Sequence, residues 1–219
     1  MKINPAPLHA AQAVLIGLCF CMSVAILGTA GHTLHVFNTQ QSFNPWWLPL
    51  WPQHFDSHGA KALIGSAVTV MVLSAIFLVF ALVPRFNPAS RYTFRAALAL
   101  GTALPGGLAT LCTVVYAHIL NNNSPELDTI QTWTCKYKSD KPMPQDMGLP
   151  SGMGNGAFES LCTESKFAIY GTLVTFLLLA MSLGVSIVAW LADKWAARQR
   201  GKEWTDQNNV EMASQVPKY

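Results

Sequence analysis

Residues 62–84 read "ALIGSAVTVMVLSAIFLVFALVP", from Ala62 to Pro84, without one ionisable side chain. A helix needs about 20 consecutive apolar residues to cross the hydrocarbon of a bilayer, so this stretch alone commits the chain to lipid. Two more segments on the C-terminal side follow the same rule. Phe167 to Ala192, "FAIYGTLVTFLLLAMSLGVSIVAWLA", is also uncharged, and Ala96 to Leu120, "AALALGTALPGGLATLCTVVYAHIL", is long enough but carries Pro105-Gly106-Gly107 at its middle. In lipid such a break is tolerated where neighbouring helices re-satisfy the freed backbone groups. The third helix is therefore expected to kink and to turn its break toward the bundle. On the N-terminal side a fourth span runs from Ala11 through "HTLHVF" to Phe37. Lys2, that apolar run and Gly28-Thr29-Ala30 also outline a cleaved leader, but the run exceeds the roughly 7–15 residues of a leader core, and a retained span is expected.

Composition agrees. Only 11% of the 219 residues are charged, against about 25% in a soluble domain, so material for a water-facing surface is missing. The net charge of +3 is scattered, and no basic patch is interleaved with aromatics; nucleic acid is not an expected partner. The expectation is an all-α fold, a four-helix transmembrane bundle with a disulfide-tied second extracytoplasmic loop. Its parts are a cytoplasmic N-terminus at 1–10, spans at 11–37, 62–84, 96–120 and 167–192, outer loops at 38–61 and 121–166, a cytoplasmic loop at 85–95 and a cytoplasmic tail at 193–219.

The orientation comes from counting Lys and Arg, which favour the cytoplasmic side. One set of ends holds Lys2, Arg85, Arg91, Arg95, Lys194, Arg198, Arg200, Lys202 and Lys218; the other holds Lys61, Lys136, Lys138, Lys141 and Lys166. Both termini are thus placed in the cytoplasm. In the first outer loop "NPWWLPLWPQHF" offers Trp46, Trp47 and Trp51 as interfacial anchors, and Trp195 does so at the opposite face, where Trp190, Trp195 and Trp204 alternate with basic residues in a helix leaving along the membrane surface. The final "TDQNNVEMASQVPKY" is expected to be disordered.

The second outer loop is the most polar part of the chain, and Cys135 and Cys162 stand near its ends. They are the only cysteines on the oxidising side, where disulfides persist; Cys19, Cys21 and Cys112 fall within spans. A bridge closing roughly 28 residues stabilises by about 3 kcal/mol; free thiols or an intermolecular link are the alternatives. Asn122-Asn123-Ser124 is a sequon followed directly by Pro125.

The piece "WTCKY…FESLCTESKFAIY", in which the second cysteine leads straight into the last helix, is similar to small four-span membrane proteins of filamentous fungi, and the topology over residues 10–195 resembles the MARVEL-type tetraspan proteins. Claudins fit less well, because their cysteine pair belongs to the first outer loop, which here has none. The resemblance implies membrane organisation, lateral association or trafficking without chemistry.

The best material for chemistry is histidine. His32 and His35, spaced i and i+3, share one face of the first span; His54 and His58 flank Asp56, and His118 ends the third span. With Asp56 or Asp128, imidazoles suit copper, zinc or iron, and two of them suit a haem. Against this, membrane interfaces suit an amphipathic ring whether or not it binds anything. His32, His35 and His118 are the candidate metal ligands; the main expectation is no cofactor. The chain has no Gly-x-Ser-x-Gly elbow, phosphate loop, His-Glu-x-x-His or Cys-x-x-Cys, and no span carries a charge at its centre. The small pairs Ala103/Gly107 and Ala180/Gly184 are candidate helix-packing positions. The expected function is a structural, self-associating tetraspan of the plasma membrane or secretory pathway, with the lipid bilayer and copies of itself or other membrane proteins as partners. The alternatives are a metal- or cofactor-dependent intramembrane enzyme acting on a lipophilic substrate through the outer histidines, and an accessory subunit or small channel lined by the third helix.

Overall fold

A computed structural model of the chain describes residues 6–42, 51, 55–83, 92–124, 128–138 and 155–214. Four long helices dominate: α1 (Ala6–Ser42), α2 (His58–Leu82), α3 (Tyr92–Asn122) and α5 (Phe158–Ser214). Between them lie a two-residue strand β1 (Phe55–Asp56), its partner β2 (Asp128–Thr129), the short helix α4 (Ile130–Tyr137) and a 3₁₀ turn at Asn155–Ala157. Pro7–Gln41, His58–Leu82, Phe94–Asn122 and Phe158–Gln199 are each long and apolar enough to cross a membrane. The helices pack in the ring α1–α2–α3–α5, with α1 closing on α5. Both strands and α4 gather at one end, here the cap end; at the other, the tail end, the start of α1 lies against α5, where His9 meets Asp193 and Gln12 meets Ser186.

Burial along the helices follows one rule. In α1 the buried positions are Gln12, Ile16, Cys19, Ser23, Ile26, Ala30, Thr33, Phe37 and Gln40; in α5 they include Leu161, Ser165, Ala168, Thr172, Thr175, Leu179, Ser182, Ser186 and Ala189. Both series step strictly by three and four. The same steps give Leu63, Ala67, Val70, Ser74 and Phe77 in α2, and Ala99, Ala103, Gly106, Thr110, Thr113, Ala117 and Leu120 in α3. An average spacing of 3.5 residues is the seam of left-handed helix packing, with crossing angles near 20°.

What fills the seam is unusual for water and natural for lipid. Small and hydroxyl-bearing residues are inside, whereas Leu82 (69% exposed), Val14 (62%) and Leu108 (61%) face out with many other large aliphatics. With lipid outside there is no hydrophobic drive between helices, so small residues that admit close backbones carry the packing. Several buried hydroxyls donate within their own helix. Ser23 donates to the Cys19 carbonyl at 2.7 Å, Thr172 to Ala168 at 2.7 Å, Thr175 to Gly171 at 2.8 Å and Ser186 to Ser182 at 2.7 Å. Each satisfies its own O–H one turn back and leaves a slim surface for the neighbouring helix. These four apolar, antiparallel spans make the chain an integral membrane protein of all-α, four-helix architecture.

The close approaches fall beside the small pairs expected from sequence. Ala103 is buried, but a side chain built on Gly107 meets nothing within 4 Å; the contact is at Gly106, whose Cβ would lie 3.4 Å from Leu179 and 3.6 Å from Val70. On α5, Ala180 and Gly184 are both exposed, and the tight position is Gly171, where a Cβ would stand 3.2 Å from Ile26 Cγ1. Burial decides this: Gly106 and Gly171 are buried against neighbouring helices, whereas Gly107 is half-buried and Ala180 and Gly184 are exposed. Pro105 is exposed too, and its ring faces outward rather than into the bundle.

Helix ends also differ from expectation. α1 begins at Ala6 and runs to Ser42; α5 begins at Phe158, a loop's length before Phe167, and continues past Thr205 to Ser214. "DKWAARQR" is rich in helix formers, and the single Gly201 costs about 1 kcal/mol relative to alanine, too little to end the helix. Trp195 is exposed. Trp46, Trp47, His54, Arg85 and Arg91, with the Gly/Pro-rich stretch from 139 to 154, lie outside the described residues.

Candidate functional site

The cap begins with an aromatic cluster. Phe37 at the end of α1 stacks on Phe55 of β1 (4.6 Å between ring centroids) and meets Trp51 edge-on at 5.0 Å; Trp51 also lies 5.0 Å from Phe55 and 5.4 Å from Phe158. Ile130 of α4 and the fully buried Leu161 of α5 complete the cluster. Trp51 is only 4% exposed, and its indole N–H donates to Gln40 Oε1 at 3.1 Å. It therefore serves as the hub of the cap and not as the lipid-facing anchor expected of it. A ring this large is worth more inside a water-excluding aromatic cluster than at a headgroup, provided its N–H finds an acceptor, and Gln40 supplies one.

Two further devices tie the loops together. β1 and β2 pair in parallel, Phe55 opposite Asp128 and Asp56 opposite Thr129, joining the segment before α2 to the segment after α3. β2 leads into α4 through a reciprocal cap. Thr129 Oγ1 accepts from the Thr132 N–H at 3.2 Å, while Thr132 Oγ1 accepts from the Thr129 N–H at 2.9 Å. Such a box satisfies two otherwise orphaned donors at a helix start. The Thr129 hydroxyl donates to Asn121 Oδ1 at 2.7 Å, Asn121 Nδ2 donates to Gln131 Oε1 at 2.7 Å, and Ser124 donates to the buried Asp128 carboxylate at 2.7 Å. The C-terminus of α3, β2 and α4 thus form one hydrogen-bonded block. The second device is covalent. Cys135 on α4 and Cys162 on α5 are disulfide-bonded, with Cα atoms 4.9 Å apart, which is within the ordinary range for the bridge. It presses α4 against α5, where Thr134 and Leu161 are both fully buried.

Beneath this cap lies a cavity of about 40 Å³, lined by Thr33, Asp56, Asn121, Thr129, Gln131 and Ser165 on its polar side and by Leu63, Leu120 and Ile169 below. A water needs at least about 10–15 Å³ and two to four polar partners, so the space suits a small cluster of waters.

The described histidines do not converge. His32 pairs with Glu164 of α5 at 2.8 Å and His58 with Asp56 at 2.8 Å, while His35 and His118 are exposed. Among the described residues no group of three His, Cys, Asp or Glu side chains could hold a metal ion. His32 and His35 point away from the α1 seam, because positions 33 and 37 occupy it. The sixth histidine, His9, lies at the tail end, 3.3 Å from Asp193.

The strand pair, the threonine block and the central place of Trp51 were not foreseen from sequence. The Thr-x-x-Thr spacing in "DTIQTW" is the one signal that points to the cap of α4. No protein-family model, curated protein or solved structure matches this chain.

Proposed function

We propose that this chain is a MARVEL-like lateral organiser, a four-span protein of the plasma membrane or secretory pathway that associates with copies of itself within the bilayer. The cap faces the oxidising side and both termini lie in the cytoplasm; the surplus of Lys and Arg toward the tail end and the disulfide at the cap support this orientation. One observation carries the self-association. On the outward face of α5, Leu177, Met181, Gly184 and Val188 are all exposed and repeat the three-four step of the internal seam, with Ala180 four residues before Gly184. Nothing approaches within 4 Å of a Cβ on Gly184. A small pair four apart on a lipid-facing helix suits a second helix at close range.

The test compares two glycines. In mild detergent or nanodiscs the intact protein is expected to show a defined mass above that of one chain. Gly184→Leu should reduce it to the single-chain mass with an unchanged melting temperature. Gly171→Leu should instead loosen the α1–α5 packing inside each copy, by about 1–3 kcal/mol as overpacking does. An intact protein that stays strictly monomeric would remove this reading.

A further inference from the structure

The surface between α3 and α5 near the tail end is recessed into a groove of about 390 Å³, lined by Ala96, Ala97, Leu100, Ser186, Ile187 and Trp190. The lining is almost wholly apolar; Ser186 accepts from Gln12 at 2.6 Å and donates to the Ser182 carbonyl, and the other polar group on a lining side chain is the indole N–H of Trp190. Too little that is polar lines the groove to orient a hydrogen-bonding ligand, and through the exposed Ala97, Leu100 and Ile187 it continues into the lipid-facing surface. Its natural content is hydrocarbon.

The charge at its mouth says which hydrocarbon. Lys194 holds its ammonium 4.8 Å from the centre of the Trp190 ring, whose side chain forms the groove wall. A cation over an indole is held in place, so the charge stands at the rim. Arg198 is exposed one helical turn beyond, on the same face. The neighbouring acid, Asp193, is engaged elsewhere, 3.3 Å from His9 of α1. Lys194 and Ser186 are eight residues apart, or about 12 Å along the helix, which puts a fixed positive charge at headgroup depth above an acyl-chain-sized recess.

We propose that this groove is a binding site for one anionic phospholipid, its phosphate-bearing headgroup against Lys194 and Arg198 and an acyl chain against Ala97, Leu100 and Ile187. Anionic lipids concentrate in the cytoplasmic leaflet, the leaflet that the tail end occupies in the orientation given above. The site does not depend on self-association.

The experiment counts lipids by native mass spectrometry on full-length protein released from nanodiscs of phosphatidylcholine alone or with one-fifth phosphatidylserine. The intact protein is expected to retain one phosphatidylserine in preference to phosphatidylcholine by about fivefold, the effect of one cation at the surface. Lys194→Gln should diminish the preference, and Lys194→Gln with Arg198→Gln should abolish it, while a lipid is still retained. Ala97→Trp, which fills the groove from an exposed position, should remove the lipid. Lys166→Gln, at the opposite end of α5, should leave the preference intact and serves as the control for fold and charge. Equal retention of both lipids by the intact protein, or an undiminished preference in Lys194→Gln, would overturn the site. So would an Ala97→Trp variant that changes the number of chains in the particle and not the number of lipids, because the groove would then be a contact between copies. Protein mass is read in the same spectra, so loss of self-association and loss of lipid are scored separately.

Discussion

Replacing Trp51 with alanine is expected to destabilise the cap by about 3–5 kcal/mol, the range for deleting a buried tryptophan. The size follows from position. One ring touches Phe37 at the end of α1, Phe55 of β1 and Phe158 at the start of α5, so its removal leaves one void shared by the first loop and two spans. The hydrogen bond to Gln40 Oε1 is lost as well. Trp51→Phe keeps most of the area and loses the indole hydrogen bond, and should cost only about 1 kcal/mol. Amide exchange by mass spectrometry in detergent reads both variants: protection in α4 and the first turns of α5 should fall steeply in Trp51→Ala and slightly in Trp51→Phe. The transmembrane part of α2 should hold its protection in both, since its seam lies outside the cluster. Equal protection in Trp51→Ala and the native protein would show that the aromatic cluster does not organise the cap.

The second large effect belongs to the disulfide. Removing a native bridge from a small secreted domain costs about 2–5 kcal/mol, and here the bridge cross-links α4 to α5 over a 27-residue separation. Cys135→Ser, Cys162→Ser and the double variant should all lose the same stability, because either single change already opens the loop. Reductant should bring the native protein to the same level and leave the variants where they are. A protease added from the cap side should then cut between residues 138 and 155 far faster than in the oxidised protein. If oxidised and reduced protein were cut at the same rate, the bridge would have no part in holding α4 down.

How much of this could be read from the residues themselves depends on what carries each feature. Spans were legible because charge exclusion is a one-dimensional property: Ala62 to Pro84 has none, and neither has Phe167 to Ala192. The disulfide was legible by position, being the one cysteine pair outside the spans. The seams were not, because in lipid the buried side is not the apolar side. Ser165, Thr172, Thr175, Ser182 and Ser186 mark the inner face of α5 by being small and hydroxylated, a pattern that hydrophobic periodicity passes over. That oversight passed over Gly106 and Gly171, the glycines that a neighbouring helix of the same chain approaches closely. The cap failed for another reason. Its strands are two residues long, and their partners lie more than seventy residues apart, Phe55 with Asp128; no local signal encodes such a pairing. Trp51 looked like an anchor because prolines and tryptophans near a membrane usually make one, and the rings of Phe37, Phe55 and Phe158, brought together by the fold, show otherwise.

The central claim is that lipid surrounds four spans, leaving the bridged cap on one side and the tail on the other. It is tested most directly by placing single cysteines at Asn123, exposed beside the cap, and at Arg198, exposed on the tail-end turn of α5. The background keeps the Cys135–Cys162 bridge and replaces Cys19, Cys21 and Cys112. A thiol reagent that cannot cross membranes is applied to intact and to permeabilised cells. The account predicts that Asn123→Cys is labelled in intact cells and Arg198→Cys only after permeabilisation. Labelling of Arg198→Cys in intact cells, or of both positions alike, would contradict it.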